Sequence, residues 1–104
     1  MDSFTIVRGS EFQLSLLMPP EYSGQVLAGY GVYSQLRTTD GELIANLSPA
    51  WSDSSRRVIT LRNSKTKRWP LVWAEFDICF KPPNGNPIYT TKLGVNIVEG
   101  TTRV

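Results

Sequence analysis

Apolar residues in this chain recur at every second position, in short runs broken by turn-forming residues roughly every ten positions. Phe4 and Ile6 alternate with polar neighbours before Arg8-Gly9. Phe12, Leu14, Leu16 and Met18 form the next set, and Pro19-Pro20 ends it, since proline fixes φ and has no N–H to donate. The stretch YGVYSQLRTTDGELIANLS predicts a hairpin around Asp40-Gly41, a dipeptide suited to a two-residue type I′ turn. That loop length sets Thr39 opposite Glu42, Thr38 opposite Leu43, Leu36 opposite Ala45 and Ser34 opposite Leu47. Val32, Leu36, Leu43, Ala45 and Leu47 then share one face. Tyr33, Gln35, Arg37, Asn46 and Ser48 share the other, and Ile44 is the misfit.

Further along, RRVITLRN predicts a strand with Ile59 and Leu61 on one face and Val58, Thr60 and Arg62 on the other. NSKTKRW predicts a single helical turn capped by Asn63 or Ser64 and closed by Trp69-Pro70. WAEFDICF puts Ala74, Phe76, Ile78 and Phe80 inward and Glu75, Asp77 and Cys79 outward. A two-residue turn at Asn84-Gly85 would set Asp77 opposite Lys92 and Phe80 opposite Tyr89. VNIVEG closes the series. Some seven to eight short strands without an amphipathic stretch of helical length predict an all-β, antiparallel sandwich occupying residues 1–104 as one domain. The apolar alternation of WAEFDICF suits a central strand facing a second sheet.

Composition narrows the chemistry. The 104 residues include no histidine and one cysteine, Cys79. This removes the usual proton shuttle and the base of most nucleophilic triads, and with them an intramolecular disulfide and any multi-cysteine zinc site. No metal or cofactor is expected. The opening MDSFTIVRGS has neither a basic nor an apolar leader region, and no apolar run approaches the ~18 residues a membrane helix needs. A reducing cytoplasm is the expected site of synthesis, so the sequon Asn46-Leu47-Ser48 is not expected to carry a glycan.

Charge is unevenly placed. RRVITLRNSKTKR, residues 56–68, holds six basic residues and no acid; the other five stand against nine acids, a net of −4 outside the stretch. Clustered Arg and Lys beside Trp69 is what a nucleic-acid surface would offer, but a pI of about 8.9 falls short of the bias such domains show. A solvated rim or a docking surface for an acidic protein is the preferred reading. Glu75 and Asp77, ~7 Å apart on one strand face, have glycosidase-like spacing, yet a charged outer face with a cross-strand lysine explains them. Acidic neighbours make Cys79 a poor nucleophile. Gly24, Gly29 and Gly31 lack the lysine and helix of a phosphate loop.

The order of the pieces resembles a known domain. FTIVRGSEFQLSL, GYGVYSQLR, GELIANL, VITLRNSKTKRWP, AEFDICF and YTTKLGVNIVEGTTR are similar to the immunoglobulin-like β-sandwich at the N-terminus of phage baseplate upper proteins and related small phage and prophage tail proteins. The matching positions are Gly9, Ser10 and Phe12; Ser34 and Leu36-Arg37; Asp77-Ile78; and Gly94, Asn96 to Val98 and Thr101-Thr102. The resemblance implies a non-enzymatic virion protein of a tail, baseplate or connector, assembled in the bacterial cytoplasm. Its partners would be other virion structural proteins and further copies of itself, with no small-molecule substrate and no membrane; nucleic acid is the less favoured partner. A nucleic-acid-binding or carbohydrate-binding sandwich is the alternative. Candidate contact residues are Arg56, Arg57, Lys65, Lys67, Arg68, Trp69, Thr102 and Arg103.

Overall fold

The computed structural model describes residues 3–102, which form eight strands, a single 3-10 turn at Pro20–Tyr22 and no α-helix. The strands are β1 (Ser3–Val7), β2 (Phe12–Leu17), β3 (Gly31–Thr38), β4 (Leu43–Trp51), β5 (Val58–Asn63), β6 (Trp73–Lys81), β7 (Ile88–Tyr89) and β8 (Leu93–Val98). Hydrogen bonding runs in the order β1-β8-β6-β3-β4-β5-β2, with β7 on β6. All pairs are antiparallel except β1 with β8, which run parallel from Ser3↔Gly94 to Val7↔Val98.

This path folds into two layers because β4 serves both. Its first half pairs with β3 as far as Ser34↔Leu47, and its second half pairs with β5 from Ser48↔Arg62 to Trp51↔Ile59. Pro49, with no N–H to offer a second neighbour, sits just after the crossing. The first sheet is thus β1-β8-β6-β3-β4, and the second β4-β5-β2. The molecule measures 44 × 30 × 22 Å, and its short axis fits two sheets packed ~10 Å apart with side chains on either side.

Between the layers lie Leu36, Ile59, Leu61, Phe76, Ile78, Phe80, Val95 and Ile97, each at most 2% exposed. They come from the inward positions that alternation marks on β3, β5, β6 and β8. No disulfide joins the layers. Aromatic contacts do so instead: Phe12 of β2 meets Phe76 of β6 edge-on at 6.3 Å, and Trp51 of β4 stacks on Phe80 of β6 at 6.3 Å. Aromatic pairs of this kind add about 0.5–1.5 kcal/mol beyond their buried area.

Three local expectations change. The hairpin turn is not the two-residue type. Gly41 donates to the Thr38 carbonyl at 2.9 Å and Thr38 to the Glu42 carbonyl at 2.9 Å, while only Gly41, at φ 94°, enters the left-handed region. This is a three-residue loop, a turn followed by a glycine bulge. Thr38 therefore faces Glu42, and Arg37 pairs with Leu43 rather than Thr38 doing so. Register returns to the expected Leu36↔Ala45 through a second irregularity at Ile44. The residue that broke the facial pattern is the bulge, and Leu43 turns outward, 48% exposed, while Ile44 packs on the core. On the other hairpin, Phe80 pairs with Ile88 and Cys79 with Tyr89, one step from the expected register, so Lys92 reaches Glu75 (3.2 Å) instead of Asp77. Finally, residues 63–69 form no helical turn. Asn63 Oδ1 accepts the Lys65 N–H, and Trp69 N–H closes a tight turn onto the Thr66 carbonyl at 3.1 Å.

Candidate interaction surface

The predicted contact residues do not form one surface. Arg56 and Arg57 close the β4–β5 loop, whereas Lys65, Lys67 and Arg68 lie in the β5–β6 loop. Six residues of β5 separate the two groups, about 20 Å of strand. Arg57 is committed to the fold, its Nε donating to the Met18 carbonyl at 2.8 Å. Arg56 is exposed and takes a left-handed φ of 54°. Lys65, Lys67 and Arg68 are exposed.

Trp69 is corrected outright. It is 4% exposed and plugs one end of the sandwich against Phe12, with ring centres 5.8 Å apart. Next to it, fully buried Thr66 uses its hydroxyl to accept the Gly9 N–H (2.9 Å) and donate to the Ser10 carbonyl (2.5 Å), which ties the β1–β2 turn to the β5–β6 loop. Arg8 adds bonds to the Trp69 carbonyl and to Glu99, both 3.4 Å. Among the described residues of the predicted set, Lys67 and Thr102 come from distant parts of the chain to line one recess of about 320 Å³ beside Arg8 and Glu99. Arg103 lies outside the described residues.

The larger feature is the outer face of the first sheet. Its outward residues form rows across the strands: Arg37 beside Glu75, Gln35 beside Asp77, and Tyr33 beside Cys79 beside Tyr89. Trp73, 57% exposed, stands beyond the Arg37 row. A groove of about 530 Å³ runs along this face between Tyr33, Tyr89, Asp77 and Lys92. Polar side chains organise it. Arg37 donates to the Gln35 Oε1 (2.7 Å) and the Gly41 carbonyl (2.9 Å), Gln35 Nε2 to Asn46 Oδ1 (3.0 Å), and Lys92 to Glu75 (3.2 Å). The Tyr89 phenol is held above its ordinary range, chiefly by its electrostatic interaction with Cys79 beside it, then by a hydrogen bond to that side chain, by burial and by Asp77. Among the described residues, no three of Cys, Asp and Glu gather where a metal could bind.

Such a face offers exposed aromatic bodies set in a fixed polar lattice, a composition suited to recognising another macromolecule. Its residues were visible in the sequence as outward positions of β3 and β6. What hid their importance was that Tyr33 and Tyr89 lie far apart in sequence and share a row only through β3–β6–β7 pairing, while Trp73 stands at the other end of β6.

No family model and no curated protein sequence matches this chain. Among solved structures it is similar to the immunoglobulin-like domain of mouse leukocyte-associated immunoglobulin-like receptor 1, crystallised as a strand-swapped dimer. The match has a TM-score of 0.55 at 9% identity and covers 95% of this chain and 91% of that one. At that identity the likeness concerns architecture alone, and it agrees with the strand order: the chain is an all-β, immunoglobulin-like sandwich.

Proposed function

We propose that this chain is a non-enzymatic structural protein of a phage or prophage virion, in the tail, baseplate or connector, and works through protein–protein contacts and self-assembly. The sequence resemblance supplies the setting. The observation that carries the mode of action is the outer face of the first sheet, where Tyr33, Tyr89 and Trp73 are each more than half exposed around a polar lattice. A partner covering those rings would remove apolar area from water while the lattice, already hydrogen-bonded internally, loses few contacts. Separation of the basic residues to both ends of β5 weighs against a continuous nucleic-acid track.

The test is affinity capture with the tagged protein from nuclease-treated lysate of its bacterial host, read by mass spectrometry. A Tyr33→Ala/Trp73→Ala variant is run in parallel. Recovery of virion structural proteins at defined ratios, lost with the variant, is the expected result. Nucleic acid retained from untreated lysate and released by salt would overturn the reading in favour of the basic loops. Saturable quenching of Trp73 fluorescence by sugars, insensitive to salt, would overturn it in favour of carbohydrate binding.

A further inference from the structure

The two sheets meet at β4 on one side of the sandwich and end on the other at β1 and β2. These two edges differ. Along β1, the Val7 carbonyl is already taken by the Ser10 N–H (3.1 Å) and the Ser10 hydroxyl, so the turn that follows covers the C-terminal end of this edge. Along β2 nothing does. The Met18 N–H bonds to the Arg57 carbonyl at 2.7 Å, which continues the β2–β5 ladder and fixes its phase. Phe12, Leu14 and Leu16 are then the residues that bond to β5, while Gln13, Ser15 and Leu17 turn their N–H and C=O groups away from it. The Ser15–Thr60 hydroxyl contact at 2.9 Å fits that phase, because side chains approach most closely at non-hydrogen-bonded pairs. No hydrogen bond among the described residues reaches those outward groups.

Sheet edges are commonly protected by a lysine, a proline, a bulge or a covering loop. FQLSLL contains no charge, proline or glycine, and its register with β5 is unbroken from Phe12↔Asn63 to Leu17↔Val58. Leu17 is 71% exposed, the highest value among the large apolar side chains of the described residues. Beside this edge, a cleft of about 430 Å³ opens between β1 and β2, lined by Phe4, Ile6, Phe12 and Leu14, with Glu11 its one charged residue. The occupant must therefore be an extended strand: it needs alternating donors and acceptors at strand spacing, and apolar side chains at every second position to enter the cleft.

We propose that this strand is β2 of a second copy, running antiparallel about a two-fold axis at Ser15, so that the second sheet continues across a dimer. In that register Gln13 faces Leu17 of the second copy, Ser15 faces its counterpart, and Leu17 faces Gln13. All three residues with free backbone groups become hydrogen-bonded pairs, giving about six new bonds. Leu14 and Leu16 of the incoming strand point toward the cleft, Leu17 gains a neighbour, and no like charges meet. A closed two-fold pairing consumes both β2 edges and stops at two copies. The inference deepens the self-assembly part of the proposed function and rests on it.

The test is sedimentation equilibrium of the full chain from micromolar to millimolar concentration, with two variants built on exposed positions. Gln13→Lys/Leu17→Lys sets lysines opposite each other twice and should weaken dimerisation at least tenfold, with thermal unfolding confirming a folded monomer. Gln13→Glu/Leu17→Lys turns both pairs into opposite charges and should restore it. Monomeric wild type throughout the range, equal dimerisation by the Lys/Lys variant, or no difference between the two variants would each overturn the proposal. A monomeric wild type that still captures virion proteins would sink the β2 pairing and leave the proposed function standing; a wild type that dimerises as expected but captures none would do the reverse.

Discussion

Thr66 joins two loops through one hydroxyl, and its contribution can be separated into two parts. Thr66→Ser keeps the hydroxyl and removes a fully buried methyl, at a cost of about 1 kcal/mol for lost transfer energy and a small cavity. Thr66→Val keeps the shape and removes both hydrogen bonds, leaving the Gly9 N–H and Ser10 carbonyl without their partner. Each bond is worth about 0.5–1.5 kcal/mol when water can replace the partner, and about 1–3 when it cannot. Gly9 and Ser10 are exposed residues but their bonded groups point at a buried hydroxyl, so a total of about 2–3 kcal/mol is expected. Thr66→Ala should lose both parts, about 3–4 kcal/mol. In urea melts with a slope of about 1–3 kcal/mol/M, the valine variant shifts the midpoint down by roughly 0.7–3 M, about two to three times the shift of the serine variant. A valine variant as stable as the serine one would refute the reasoning, since the hydroxyl would then contribute no more than a methyl group.

Three further outcomes follow from the packing and the loops. Trp69→Ala should cost about 3–5 kcal/mol because the ring fills the end of the core, and Trp69→Phe, which stays folded, should bind partners as the wild type does; a selective binding loss in a stable Trp69→Phe protein would contradict its buried role. Gly24→Ala puts a methyl 2.7 Å from the Arg56 Cβ and 2.8 Å from the Trp51 ring, so calorimetry should show a loss of about 1–3 kcal/mol, and an unchanged melting temperature would show that the loop yields freely. Asp53 accepts bonds from the Ser55 hydroxyl and from the Val58 and Arg57 N–H groups (both 2.9 Å), which lower its pKa below 3.8. Its contribution is therefore complete above pH 3.8 and disappears as pH falls through the lowered value. Urea midpoints of wild type and Asp53→Asn should differ by a constant amount at neutral pH and draw together as pH falls below 3.8; a gap that does not narrow there would contradict this.

The parts of this fold legible in the sequence are those fixed by a two-residue period. The inward set Ala74, Phe76, Ile78 and Phe80 and the pairs Leu36↔Ala45 and Ser34↔Leu47 depend only on which face is buried. The turns were harder. Asp-Gly suits both a two-residue turn and the three-residue glycine-bulge loop, and what decided between them was the need to bring Ile44 onto the core, which an extra residue near the turn achieves. Beside Pro70, Trp69 reads from sequence as a loop aromatic that either plugs the core or anchors a contact, and which it does depends on what folds over it from about sixty positions away, here Phe12 and Arg8. The basic stretch looked continuous because sequence distance ignores strand rise. Once β5 is extended, neighbours in the chain become opposite ends of a sheet. Parallel pairing of β1 with β8 leaves no local signature at all, since it joins the most distant strands of the chain.

That parallel pair has a mechanical meaning. Tension entering the chain ahead of Ser3 and leaving it after Val98 pulls the two strands along their length in opposite directions, because Ser3 lies level with Gly94 and Val7 with Val98. Every rung from Ser3↔Gly94 to Val7↔Val98 then carries load at once, in shear, rather than opening one after another like a zip. A force large enough to separate them must break the whole ladder together, so the rate of forced rupture is set by one high barrier instead of several low ones. A module strung between two anchored neighbours would transmit a sudden pull through these strands while its loops stay slack.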